Sequence, residues 1–306
     1  MTAPRVLVCG YSEVGTACLE ALLDLGANVV GLFTHRDDPK ENRWFRTPAP
    51  VAEAAGIPLS TESLASPGGI ALARSLRPDL LLSFYYRDLL GADLLALPPL
   101  GAYNLHGSLL PRYRGRVPIH WAVIRGETRT GATLHVMTPR PDGGDLIDQE
   151  PVPILFEDTS LEVFRRVTDA AVRVVRRSYP LLAEGRAPRT PQDEARATTF
   201  GRRTPADGRL DWTGDALGLY HLVRAVTRPY PGAFAFLEGR KLFVWKAWPL
   251  PEAGQPSVPP GTCFEDPEGG LRVRCGSGAL RLLEVQEEGA REDEAMPGLA
   301  PGARLS

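Results

Sequence analysis

Along the first half of the chain, short apolar runs alternate with segments whose apolar residues recur at helical spacing. RVLVCG (5–10), ANVVGLFTH (27–35), PDLLLSF (78–84), GAYNLHG (101–107) and TGATLHVMTP (130–139) read as strands, the first of them as a buried one. Between them the pattern predicts helices over about 14–25, 50–56 and 69–76, and another that begins near Pro118. Such alternation implies a parallel sheet covered by helices, which takes its ligands beyond the carboxyl ends of its strands.

A longer helix is predicted over 159–184. Thr159 and Glu162 open it as a T-x-x-E capping box, and Phe164, Val167, Ala171, Val174, Val175 and Leu182 supply its apolar side. The periodicity then stops. Residues 187–206 are rich in Pro, Arg, Thr and Gly and read as a linker between one domain over 1–186 and a second over 207–306. The second domain opens with a helix over about 214–227. It continues in β-type runs at 232–238, 240–248, 271–275 and 279–286, the pattern of a small antiparallel barrel or sandwich. Phe243, Trp245 and Trp248 alternate with apolar neighbours, which predicts barrel core rather than a face that stacks nucleic-acid bases.

Composition narrows the classes. With 306 residues, 43% hydrophobic and 24% charged, the chain has the make-up of a globular protein of one large or two ordinary domains. Lys+Arg 35 against Asp+Glu 37 leaves a net charge of -2, which argues against a general nucleic-acid partner. Cys9, Cys18, Cys263 and Cys275 have no C-x-x-C spacing, so reduced thiols are expected rather than disulfides or a zinc cluster. No signal-peptide pattern or membrane-length apolar run is found, and a cytoplasmic protein with no membrane insertion is expected. Self-association into a homo-oligomer is compatible with all of this.

GYSEVG (10–15) has Ser12 where a dinucleotide fingerprint needs its central glycine, so a strand-to-helix turn is expected there and no NAD. No histidine pair has the compact spacing of a metal site, and no metal is expected. His35 ends a strand, His120 and His221 fall on predicted helices, and His135 sits in the apolar run ATLHVM as a core histidine. NLHGSLLPRYRG (104–115) differs. Asn104 and His106, two apart on a strand, project to the same side at its carboxyl end. A carboxylate from the turn PRPDGGD (139–145), Asp142 or Asp145, reaches the imidazole if the two strands are parallel neighbours. The amide can serve a developing oxyanion and the imidazole can move protons, while no Ser, Cys or Lys is placed as a nucleophile. Ser108 is the nearest, and it lacks the glycines of a nucleophile elbow. The combination points to direct attack of a substrate nucleophile on an acyl donor.

The stretch from Asn104 to Pro111, with Arg114-Gly115 and the D-G-G turn, resembles the 10-formyltetrahydrofolate-dependent formyltransferases. FTHRDDP (33–39), SFYYRDLL (83–90), residues 104–128, TFGRRTP (199–205) and VRAVTRPYPGAFAF (223–236) extend the likeness over nearly all of the chain. Among these enzymes it is most like the sugar-nucleotide N-formyltransferases, in particular the domain that formylates UDP-4-amino-4-deoxy-L-arabinose in lipid A modification and polymyxin resistance. The resemblance implies a Rossmann-like, mostly parallel sheet with helices on both faces and a C-terminal OB-like β-barrel. It implies Asn104, His106 and Asp142 as catalytic groups, which selects Asp142 over Asp145. It further implies a 10-formyltetrahydrofolate site along Asp88, Leu89, Leu90, Arg116, Thr138, Pro139, Arg140, Pro141 and Asp142, with a protonated His106 beside the oxyanion. The acceptor is then a small sugar nucleotide. A dTDP-4-amino-4,6-dideoxy sugar is the alternative within that class. Methionyl-tRNA is a further one, disfavoured by the balanced charges of RDDPKENRWF after FTH. A catalytically dead ligand sensor would be expected to carry a substitution in the trio, and none is present.

Overall fold

A computed structural model of the protein describes residues 3–36, 42–252, 256–291 and 298–306. Asp37, Asp38 and Pro39 of the FTHRDDP stretch lie outside the described residues, as do Lys40 and Glu41 of the loop after it. The chain divides into two compact units, one made of 1–118, 129–153 and 164–201, the other of 119–128, 154–163 and 202–306.

The first unit holds a seven-stranded sheet. In chain order its elements are β1 (Arg5–Gly10), α1 (Ser12–Asp24), β2 (Asn28–Phe33), α2 (Ala49–Ala54), β3 (Leu59–Ser60), α3 (Pro67–Ser75), β4 (Leu80–Phe84), α4 (Ala92–Leu95), β5 (Ala102–His106) and β6 (Arg114–Gly115). After α5 (Pro118–Ile124), which belongs to the other unit from Ile119 on, come β7 (Arg129–Val136), β8 (Leu146–Pro153), α6 (Ser160–Ala183) and β9 (Thr199–Phe200). The strand order is β3-β2-β1-β4-β5-β7-β8. The first five pair in parallel, and β4 is buried along its whole length, as strands covered on both faces must be. Leu7, Cys9, Phe33, Leu64, Leu81, Leu90 and Leu94 form one core cluster here.

The parallel register stops at β5. Strand β7 runs antiparallel to it, and β8, which the hydrophobic pattern missed, runs antiparallel to β7. Its sequence LIDQEPVP carries charges at Asp148 and Glu150 that Arg177 and Arg173 neutralise from the side, so it has no continuous apolar signature. Helix α6 takes the predicted span, with the Glu162 carboxylate accepting the Thr159 N–H at 2.6 Å as in a capping box. Residues 187–201 are not a free connection. Thr190 bridges to Leu146, and β9 pairs in parallel with β6.

In the second unit, α7 (Ala216–Val226) precedes β10 (Ala233–Leu237), β11 (Arg240–Leu250), β12 (Cys263–Glu265), β13 (Leu271–Arg274) and β14 (Ala279–Glu287), which form an antiparallel sheet in the order β10-β11-β14-β13-β12. The last residues join the two edges. Leu305 bridges to Leu237 of β10, and Arg304 bridges to Thr262 at the start of β12. This is the curled, half-barrel arrangement expected of the second domain. Phe243, Trp245 and Trp248 do not fill it. Leu242, Val244 and Ala247 point inward, while the three aromatics are half-buried on the opposite side. Phe243 stacks on Trp245 there, under Lys241 and Arg228. Period-two alternation gives two faces, and both carry apolar residues here, so the pattern could not say which was inside. Buried Arg224 of α7 ties two other stretches of this unit together. It donates to Asp158 O at 2.7 Å and Val123 O at 3.3 Å, and its Nε is held by His221 Nδ1 at 3.0 Å. All four cysteines are buried free thiols. Among the described residues, no helix is long and apolar enough to cross a membrane.

Leu305 is 3% exposed at the seam of the barrel. Leu305→Ala should therefore destabilise the protein by about 2–5 kcal/mol in chemical denaturation, the range for emptying a buried leucine site. A loss under about 1 kcal/mol would mean that the seam does not support the barrel.

Candidate active site

Strand β5 carries Asn104 and His106 on one face, and its antiparallel partner decides what lies beside them. In the β5–β7 register, Asn104 is opposite His135 and His106 is opposite Thr133. Directly opposed residues of antiparallel strands bring their side chains together on the same face. His135, expected to be core, is indeed buried. Yet its Nε2 lies 3.2 Å from the Asn104 side-chain nitrogen and 3.5 Å from Asp142 Oδ1. Sequence reasoning missed it because its neighbours along β7 are apolar and only cross-strand register reveals the polar contact.

The carboxylate arrives by a route different from the one expected. Parallel strand ends do not meet here. Instead, the β7–β8 turn folds back and brings Asp142 Oδ1 to 3.6 Å from His106 Nδ1. A β-bulge between Leu134 and His135 marks the point where β7 breaks register with β8. Asp142 has a φ of 55°, which aspartate tolerates in a turn. Its Oδ2 accepts the Gly115 N–H at 2.8 Å. Two glycines allow this closeness. A Cβ on Gly144 would lie 2.0 Å from Val136 O, and one on Gly115, where φ is 95°, would lie 2.3 Å from Phe200 O.

His106 donates from Nε2 to Tyr113 O at 2.7 Å. A carbonyl can only accept, so this contact fixes the proton on Nε2 and leaves Nδ1 facing Asp142. At 3.6 Å the Asp142 carboxylate does not hold the ring by a direct hydrogen bond, so the ring's orientation comes from Tyr113 rather than from the aspartate. Burial pushes the His106 imidazole below its ordinary value, against the opposing pull of Asp142 and the Tyr113 carbonyl. Burial thus favours the neutral ring at neutral pH, a base whose free Nδ1 becomes the cation of the expected mechanism once it takes a proton. For Asp142, burial acts upward. The charge that His106 or His135 would carry when protonated and the Gly115 amide act downward and hold the carboxyl well below the usual carboxylate range. Asp142 is ionised.

The surroundings lock this arrangement. Thr133 Oγ1 donates to Ser108 O and accepts from Leu110 N–H and the Gln149 amide, which fixes the SLLP loop. Ser108 is fully buried, and its hydroxyl donates to Arg112 O at 2.7 Å, so it is no nucleophile. The segment read as the start of a linker supplies a latch. Gln192 Nε2 donates to Asp142 O at 2.8 Å and Gly144 O at 2.6 Å, while its Oε1 accepts from buried Arg114 at 2.7 Å. Glu194 pairs with Arg114 at 2.7 Å and Arg140 at 2.9 Å. Arg114 and Arg116 N–H groups donate to Thr198 O and Phe200 O, and the Tyr113 ring stacks on Phe200. Tyr113 of the motif at φ 60° and Val117 just after it at φ 48° sit in the left-handed region, a cost that this strapping offsets.

The remaining expected contacts lie on two loops and in the motif. Loop 85–91 leaves β4, the parallel neighbour of β5. In it Asp88 accepts from Ser63 Oγ at 2.6 Å, Leu89 is 70% exposed, and Leu90 is buried in the core cluster. Thr138, Pro139, Arg140 and Pro141 form the turn before Asp142, with Thr138 Oγ1 bonded to Arg140 O and the next three residues exposed. Arg116 has an exposed side chain beside the Gly115 clamp. Among the described residues no group of His, Cys, Asp and Glu is built to hold a metal ion. A neutral imidazole base, an ionised carboxylate and a donor amide, with no enzyme nucleophile, can together move an acyl group directly between two bound molecules.

Asp142→Asn removes the charge that opposes burial at His106. The imidazole of this variant should titrate lower than in the unmodified protein, as read by NMR titration of labelled histidine. A rise would contradict the electrostatic account.

Comparison with known proteins follows the same lines. A family model described as formyl transferase matches residues 5–178, and the formyl transferase C-terminal domain matches 202–296. An N-formyltransferase from Helicobacter canadensis, solved with folinic acid and dTDP-3-aminofucose, superposes with a TM-score of 0.72 at 16% identity, covering 90% of this chain and 98% of that one. WlaRD, a sugar 3N-formyltransferase solved with dTDP and 5-N-formyl-THF, gives 0.70 at 14%, over 95% and 100%. A 4-N-formyltransferase from Francisella tularensis gives 0.65 at 19%, over 79% and 96%.

Proposed function

Because the chain belongs to the formyl transferase family, we propose that it moves a formyl group from 10-formyltetrahydrofolate to the amino group of a sugar nucleotide, with UDP-4-amino-4-deoxy-L-arabinose as the acceptor tried first. The observation that carries the reading is the pairing of Asn104 with a neutral His106 whose free Nδ1 faces ionised Asp142. Exposed Leu89, in the loop beside β5, and the exposed turn 139–141 are apolar and backbone-rich surfaces of the kind a pteridine ring needs, so the donor fits the residues present. When bound, that donor supplies a formyl carbon activated by its bond to nitrogen.

The protein's own groups do the rest. Asn104 donates an amide N–H to the formyl oxygen as negative charge grows on it. His106 Nδ1 takes the proton of the acceptor amine as the new carbon–nitrogen bond forms. Asp142 stabilises the imidazolium that results. The same proton passes to the departing nitrogen as its bond to the formyl carbon breaks, so His106 ends neutral again. Ser108 takes no part, because its hydroxyl is turned to Arg112.

A dTDP-linked amino sugar is a second reading, favoured by the ligands named for the Helicobacter canadensis enzyme and WlaRD. A net charge of -2 weighs against methionyl-tRNA. Incubation with the donor and each acceptor in turn should add the mass of one formyl group to a sugar nucleotide. Asn104→Ala should lower kcat by ~10²–10³, the usual loss for one oxyanion donor, in a protein that remains folded. Near-normal turnover in that variant, or formylation of tRNA alone, would overturn the reading.

A further inference from the structure

We propose that His135 is the positioning residue for Asn104, accepting a hydrogen bond from its side-chain nitrogen and thereby fixing which end of the amide meets the formyl oxygen; this rests on the formyl-transfer reading above. The argument begins with the tautomer. His135 Nδ1 lies 2.9 Å from Val136 O, and a carbonyl only accepts, so the ring hydrogen sits on Nδ1. That leaves Nε2 with a lone pair. Asn104 Nδ2, which only donates, lies 3.2 Å from it. One amide hydrogen is therefore committed to His135, and the second remains for a reacting group.

The commitment matters because an asparagine amide can turn over about its last torsion at little intrinsic cost. Turned over, it would present Oδ1, an acceptor, to a developing oxyanion. Attraction would become repulsion at the one atom where the charge grows. The register of β5 against β7 sets Asn104 opposite His135, and His135 is 2% exposed, so no competing water donor or acceptor reaches the ring freely. The same Nε2 faces Asp142 Oδ1 at 3.5 Å. A proton on Nε2 would be drawn to that carboxylate and would expel the Asn104 donor. The two arrangements exclude each other, and the Val136 carbonyl favours the one in which Nε2 is bare.

Three variants and one spectrum test the proposal on the full chain. His135→Leu, which fills the space without an acceptor, should lower kcat by ~10² while the KM values for donor and acceptor change less than ~3-fold, because the loss falls on the transition state. His135→Gln restores an acceptor and should recover at least ~10-fold of that loss. A His135→Leu enzyme with kcat within a factor of ~3 of the unmodified one, or one whose loss lies in KM, would overturn the assignment. If His135→Leu fails to fold, nitrogen-15 NMR of the unmodified protein decides. The His135 Nε2 resonance should be that of an unprotonated nitrogen and should move in Asn104→Ala. A protonated Nε2 would overturn the proposal. If the unmodified enzyme formylates no amine at all, the transfer reading fails, while the spectrum still settles the contact.

Discussion

A carboxylate that is nearly out of solvent must be compensated or it will not stay ionised. Asp142 meets this constraint with the Gly115 N–H at 2.8 Å and with two imidazoles at 3.5–3.6 Å that can take up a proton beside it, its side chain only 12% exposed. Removing an ion from water costs several kcal/mol, so each partner has to be held in place before the charge can be tolerated. The local sequence follows from that need. Gly144 lets the turn press against β7, Gly115 lets its own amide reach the carboxylate, and Gln192 holds the turn's carbonyls from behind. Arg114, buried and paired with Glu194, anchors Gln192 in turn.

The two histidines of the site divide the work through the hydrogen bonds of their far nitrogens. Tyr113 O takes the His106 Nε2 proton and leaves Nδ1 as the working atom. Val136 O takes the His135 Nδ1 proton and leaves Nε2 as an acceptor. Two rings of the same type, on either side of one carboxylate, thus present lone pairs for different purposes. A buried neutral base beside a fixed anion is the arrangement in which a proton can be accepted and returned without a stable charge on the ring.

Much of this was legible in the chain. The β-α alternation and the β-rich tail pointed to a helix-covered sheet and a β-rich second part, although residues 119–128 and 154–163, read as part of the first domain, fall in the second unit. Asn104 with His106 could be placed on one face from their spacing alone. A carboxylate at Asp142 or Asp145 followed from a turn rich in acid and glycine, and the family resemblance selected Asp142, although the sheet reaches it through an antiparallel hairpin and not a parallel neighbour. Residues 146–153 escaped as a strand because its charges are satisfied by Arg173 and Arg177, whose positions no local pattern encodes. His135 escaped for a related reason: its apolar neighbours say buried, and only pairing says against what. Gln192 lies in a segment with linker composition, and a linker and a strap that hydrogen-bonds through backbone and amide groups look alike in sequence. The His106 charge state was likewise beyond sequence, since it depends on how completely the ring is buried.

The central claim is that the formyl group passes straight from donor to acceptor, with Asn104, His106 and Asp142 assisting and no side chain carrying it. Single-turnover incubation with isotope-labelled formyl donor, followed by intact-protein and small-molecule mass spectrometry, tests this most directly. With donor alone the protein mass should stay unchanged, and on adding the amino sugar nucleotide all transferred label should appear on its nitrogen. A formylated protein formed at a rate that accounts for turnover would contradict it.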